Sequence, residues 1–108
     1  MAKGYWIARV DVHDAEAYKK YIAANAAPLA KFGARFLVRG GKTECVGGAR
    51  RARNVVIEFE SYEKALACWH SPEYQRAARL REPPIAEGDF IICEGYDGEQ
   101  PGGISTNC

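Results

Sequence analysis

The chain lacks any apolar run near the ~20 residues that cross a bilayer, so no membrane span is expected. It lacks a surplus of charge: 15 Lys and Arg stand against 14 Asp and Glu. Nucleic-acid binders carry a clear basic excess, so that partner class is not expected. The one basic run, Arg50-Arg51-Ala52-Arg53, lies between two predicted strands and reads as a solvated loop before a phosphate or carboxylate site. The cysteines, Cys45, Cys68, Cys93 and Cys108, are widely and irregularly spaced, with no Cys-x-x-Cys and no paired histidine nearby. No metal site is expected from them. There is no glycine-rich phosphate loop, no Gly-x-Gly-x-x-Gly and no Gly-x-Ser-x-Gly elbow, which argues against three large enzyme classes. Met1-Ala2-Lys3-Gly4-Tyr5 enters a strand without a charged-then-apolar leader. The expectation is a cytoplasmic protein with reduced thiols. Cys108 ends a polar tail, where air oxidation would join two chains.

What is present is an order of elements. Residues 4–12 read as a strand and 14–32 as a helix. Residues 34–39 and 54–59 read as strands, 61–81 as helix with a break, and 89–96 as the last strand. That βαββαβ order predicts an α+β, ferredoxin-like fold with a four-stranded antiparallel sheet. Such a sheet carries helices on one face only. With no element left to cover the other face, a second copy of the chain is expected there: a homodimer joined sheet to sheet into an α/β barrel. The domain is expected over residues 1–97. The Gly- and Pro-rich remainder, 98–108, is expected to be a flexible or partner-contacting tail.

Local chemistry supports these boundaries. Asp14 is a helix N-cap with Glu16 behind it, and Gly33 is a natural stop. The inward stripe of this helix reads Tyr18, Ile22, Asn25, Leu29 and Phe32, with Pro28 expected to kink the last turn. Asn25 is the odd member: it either bonds the backbone near Pro28 or faces a ligand. Ser61 caps the second helix, and Ser71-Pro72-Glu73 restarts it after a bend at His70. Residues 42–46 are expected to extend the sheet briefly. In the first strand Trp6, Ala8, Val10 and Val12 form one face, and Tyr5, Ile7, Arg9 and Asp11 the other. Arg9 is expected to meet Glu58 across the sheet as an ion pair.

Several stretches point to one family. They are Gly4-Tyr5-Trp6-Ile7-Ala8, Phe36-Leu37-Val38-Arg39-Gly40-Gly41, Val55-Val56-Ile57-Glu58-Phe59, Ser71-Pro72-Glu73-Tyr74 and Glu94-Gly95-Tyr96. From Gly4 to about Gly98 the chain resembles the small bacterial family called domain of unknown function thirteen-thirty. The resemblance implies the dimeric α/β barrel fold and a homodimer, and no assigned reaction. The wider superfamily includes cofactor-free monooxygenases, and its pockets often lie between sheet and helices. The lining of such a pocket would draw on Tyr18, Asn25, Trp69, His70 and Tyr74, with Arg39 at its mouth. His70 is the candidate acid or base. Its competing reading is a surface residue at the helix bend. The expected function is a cofactor-independent enzyme or binder for a small apolar or aromatic metabolite. The alternative is a non-enzymatic dimeric binding or regulatory module.

Overall fold

The computed structural model describes residues 2–105. Strand β1 is Gly4–Val12, helix α1 is Ala15–Lys31, and strands β2 and β3 are Arg35–Arg39 and Arg53–Phe59. Helices α2, Tyr62–His70, and α3, Pro72–Ala78, follow, with a 3₁₀ turn at Arg79–Arg81 and then β4, Ala86–Glu94. The sheet runs β2-β3-β1-β4, antiparallel throughout. This is the expected α+β, ferredoxin-like arrangement. Residues 42–46 join no strand. In the tail, β5, Glu99–Gln100, pairs with β6, Ile104–Ser105. Cys108 lies outside the described residues. No described helix is long and apolar enough to cross a membrane.

Alternation along the strands sorts side chains onto two faces. On the helix face, Phe36, Ile57, Trp6 and Ile92 stand in one row across all four strands. Arg39, Val55, Ala8 and Phe90 form the next row. Trp6 anchors the core, with Phe59 5.0 Å, Trp69 5.4 Å and Tyr74 4.8 Å from its ring. Its indole Nε1 donates to the Ala65 carbonyl at 2.8 Å, so the buried N–H is satisfied. On the outer face, Val38, Val56, Ile7 and Ile91 form a continuous apolar row.

The helices are set by their caps. Asp14 accepts from the Ala17 amide at 3.0 Å. The Ser71 hydroxyl serves two helices at once. It donates to the Cys68 carbonyl at 2.7 Å, closing α2, and accepts from the Tyr74 amide at 3.2 Å, opening α3. Helix α1 runs on past Pro28 to Lys31, and Pro28 is buried. The buried stripe is Tyr18, Tyr21, Asn25, Pro28 and Leu29, with Ile22 and Phe32 only partly covered.

The expected Arg9–Glu58 pair does not form. Both residues are on the outer face, but the register opposes Arg9 to Asn54 and Tyr5 to Glu58. Four residues of strand separate them, about 13 Å at ~3.3 Å per residue. Arg9 Nε instead donates to Asn54 Oδ1 at 3.3 Å, and the Tyr5 hydroxyl donates to Glu58 at 3.1 Å.

Candidate functional site

A cavity lies between the helix face of the sheet and helices α1, α2 and α3. The space within it open to the centre of a water-sized sphere is about 40 Å³. It is a slot between aromatic rings rather than a chamber. Tyr18, Asn25, Arg39, Trp69 and Tyr74 all line it. His70 does not: it is exposed at the end of α2, while its neighbour Trp69 lines the slot. Successive helical residues point about 100° apart, so one of such a pair turns away when the other faces in.

Two further groups line the slot that the sequence pattern hid. Tyr21 shares the α1 face with Tyr18, three residues away, and with Asn25, four away. Arg53 opens β3 and shares its parity with Val55, Ile57 and Phe59, so it stands on the helix face. The parity of β3 was the available signal. The basic run around Arg53 obscured it.

Arg39 reaches the slot through a β-bulge. Phe36 pairs with Ile57 and Val38 with Val56, so Leu37 is the extra residue. A bulge re-aims the side chains that follow it. Val38 turns to the outer face and Arg39 to the helix face, where its guanidinium lies 4.1 Å from the Phe36 ring centre.

The tyrosines have distinct roles. The Tyr21 and Tyr74 hydroxyls share a 2.8 Å hydrogen bond, and Arg81 Nη2 donates to Tyr74 at 3.2 Å. Tyr74 is fully buried, and burial first, then Tyr21, raises its pKa against the opposing pull of Arg81. Its hydroxyl is already engaged on both sides, so its work is structural. Burial likewise raises Tyr18, with Tyr21 adding and Arg53 partly offsetting. Tyr18 is therefore protonated at neutral pH and able to donate.

Asn25 differs from all of these. It is 6% exposed, and its side-chain amide has no hydrogen-bond partner among the described residues. The expected bond to the backbone at Pro28 is not made. Instead the Pro28 carbonyl accepts from the Phe32 amide at 3.2 Å. The Asn25 amide faces the slot rather than being sealed from it: among the described residues the fully buried unpartnered side-chain groups are Arg53 Nε and Arg81 Nε. Elsewhere Cys68 is fully buried beneath α1, its thiol pushed up to about 12 by burial and secondarily by Glu73. It packs as a small apolar group. Among the described residues, no cluster of His, Cys, Asp and Glu is placed to hold a metal ion.

The βαββαβ order and the sheet it builds define a ferredoxin-like protein. Within that class, the chain belongs to the family described as "Domain of unknown function (DUF1330)", matched over residues 3–96. No curated protein matches the chain. Among solved structures, it is similar to a protein of unknown function from Rhodopseudomonas palustris. That match has a TM-score of 0.70 at 15% identity and covers 85% of this chain and 81% of the other. SnoaB, a cofactor-independent oxygenase from Streptomyces nogalater, matches with a TM-score of 0.60 at 14% identity, over 86% of this chain and 92% of its own. A dimeric ferredoxin-like protein of unknown function from Thermobifida fusca matches at 0.57 and 15% identity, over 85% and 90%. At these identities the likeness is one of fold.

Proposed function

We propose that the chain is a homodimeric, cofactor-independent enzyme or binder for a small apolar or aromatic metabolite, held in the slot between sheet and helices. The observation that carries this is Asn25: an amide that lines the slot among aromatic walls, with no hydrogen-bond partner among the described residues. Apolar lining with a few polar groups is the usual make-up of a small-molecule site. Asn25 and Tyr18 would orient the ligand, Trp69 would stack on it, and Arg39 would stand at the mouth. His70 has no part in this reading, because it faces solvent. SnoaB's cofactor-independent chemistry on the same fold supports the enzyme side, as an analogy of fold.

One observation favours the alternative, a dimeric binding or regulatory module. The described lining contains no His, Asp, Glu, Cys or Lys. An enzyme here would need the ligand itself to ionise, since burial keeps Tyr18 and Tyr74 protonated.

The dimer is proposed to form through the outer face of the sheet. There the apolar row of Val38, Val56, Ile7 and Ile91 is flanked by polar rows, the pattern of an interface core with its rim. In this reading residues 2–97 form the working domain and 98–105, which hold the β5–β6 pair, a tail that is flexible or lies on the partner; residues 106–108 lie outside the described residues. Native mass spectrometry of fresh protein tests both claims. The expected result is a dimer that carries, or takes up from a panel of small arenes, one ligand per chain. A monomer overturns the dimer. A dimer that carries and accepts nothing overturns the ligand site.

A further inference from the structure

We propose that the ligand of this slot is an anion: a small, flat aromatic carboxylate whose charge is met by Arg53, with Arg39 at the mouth. The inference rests on the reading of the slot as a ligand site and adds the substrate's chemical class.

Four observations support it. Arg39 and Arg53 line the slot, and no carboxylate does so among the described residues. Neither arginine has an ion-pair partner among the described residues, whereas Arg51, two residues before Arg53, holds Asp11 at 2.8 Å and Asp89 at 3.3 Å. The Arg53 Nε–H is buried with no acceptor among the described residues, although the guanidinium also faces Tyr18, 5.7 Å from its ring centre. A guanidinium fork matches a carboxylate in plane and spacing, so an unspent N–H beside a cavity selects that shape of acceptor.

The fourth observation concerns Gly40, which turns the chain out of β2 with φ +67. A Cβ there would lie 2.8 Å from Arg53 Nη1. The left-handed turn is what requires glycine, and it brings the chain out of β2 against the Arg53 guanidinium. The turn after β2 thus packs beside the first residue of β3, whose guanidinium lines the slot. Arg81 is a weaker candidate for the same role. Its Nε–H is likewise buried with no acceptor among the described residues, but its guanidinium lies 4.2 Å from the Phe90 ring centre and is tied to Tyr74, and it does not line the slot.

The walls suit a flat ring. Trp6, Tyr21, Trp69 and Phe90 bound the space, and Asn25 offers a donor to a second oxygen. The carboxylate would accept from Arg53 while the ring stacks on Trp69.

The chain's two tryptophans, Trp6 and Trp69, both line the slot, so their emission reports occupancy. The test titrates the protein with benzoate and 2-naphthoate, and with the corresponding neutral amides, at pH 7. Calorimetry gives the affinities and tryptophan emission the location. The acids are expected to bind about tenfold or more tighter than the amides. Arg53→Gln should abolish that preference, the acids losing about tenfold or more relative to the amides. Arg53→Lys, which keeps charge without the fork, should retain part of it and serves if the glutamine variant does not fold. Amides that bind as well as the acids, or a preference that survives Arg53→Gln, overturn the anion and leave the slot standing. Acids and amides that all leave the tryptophan emission unchanged overturn the slot and the anion together.

Discussion

On the outer face of the sheet, two arginines are answered. Arg51 bridges Asp11 and Asp89, and Arg9 bonds Asn54 and, at 2.7 Å, the Ala49 carbonyl. The apolar residues there, by contrast, are left open: Ile91 is 54% and Val38 42% exposed. On the helix face the pattern inverts. Trp6, Phe59 and Tyr74 are packed away, while the Arg53 and Arg81 Nε–H groups and the Asn25 amide lack partners among the described residues. Each face thus leaves one kind of group unfinished. The outer face lacks an apolar cover, and the helix face lacks polar acceptors and donors. In the proposed reading a second copy of the chain would supply the first, and a small molecule the second.

The largest expected effect breaks the outer face. Val56 is central in the apolar row and does not line the slot. In a two-fold interface its substitution counts twice. Val56→Asp should raise the dimer dissociation constant by about 100-fold or more, since each buried carboxylate lacks a partner and costs several kcal/mol. Val56→Thr, nearly isosteric, should keep the dimer. Sedimentation equilibrium reads both, with circular dichroism confirming the fold. A Val56→Asp protein that remains dimeric would place the interface elsewhere.

The next effect belongs to the helix face. Tyr74→Phe removes the hydroxyl that joins Tyr21 to Arg81. Leaving both without that partner should cost about 2 kcal/mol, a fall in Tm of roughly 10 °C. The same variant should change the alkaline limb. Because burial raises Tyr74 and Tyr18, the fold holds their protons more tightly than the unfolded chain. Their contribution is therefore complete below the unfolded tyrosine value of about 10 and is lost as pH rises through the folded ones. Stability measured at pH 8 and pH 11 should fall less steeply in Tyr74→Phe than in the parent. Equal slopes would mean the buried tyrosines do not set the limb.

The two faces were unequally legible. Alternation in β1 and β3 and the caps at Asp14, Ser61 and Ser71-Pro72 give the elements and their order, because those signals act within a few residues. The bulge at Leu37 leaves no mark in Phe36-Leu37-Val38, where every residue is apolar, so the facing of Arg39 depends on pairing with β3. Register defeated the Arg9–Glu58 expectation for the same reason: strand offset is a tertiary property. On α1, Tyr21 and Ile22 both fit a helical stripe, and packing against Tyr74 selects Tyr21. His70 and Trp69 show the converse, neighbours in sequence with opposite surroundings.

The smallest expected change in stability is also the sharpest test of what the helix face is for. Asn25→Leu replaces an unpartnered amide with an apolar group of similar size. If the amide serves only the fold, its loss should destabilise, as loss of a buried polar contact does. In this structure it has no contact to lose, so the variant should be as stable as the parent or gain about 1 kcal/mol. Ligand affinity, measured with the same arenes, should fall. Stability rising while binding falls is the signature of a group kept for function against the interest of the fold. A clear drop in Tm would instead show that the fold holds Asn25 by a contact of its own, and the case for the slot would then rest on the arginines alone.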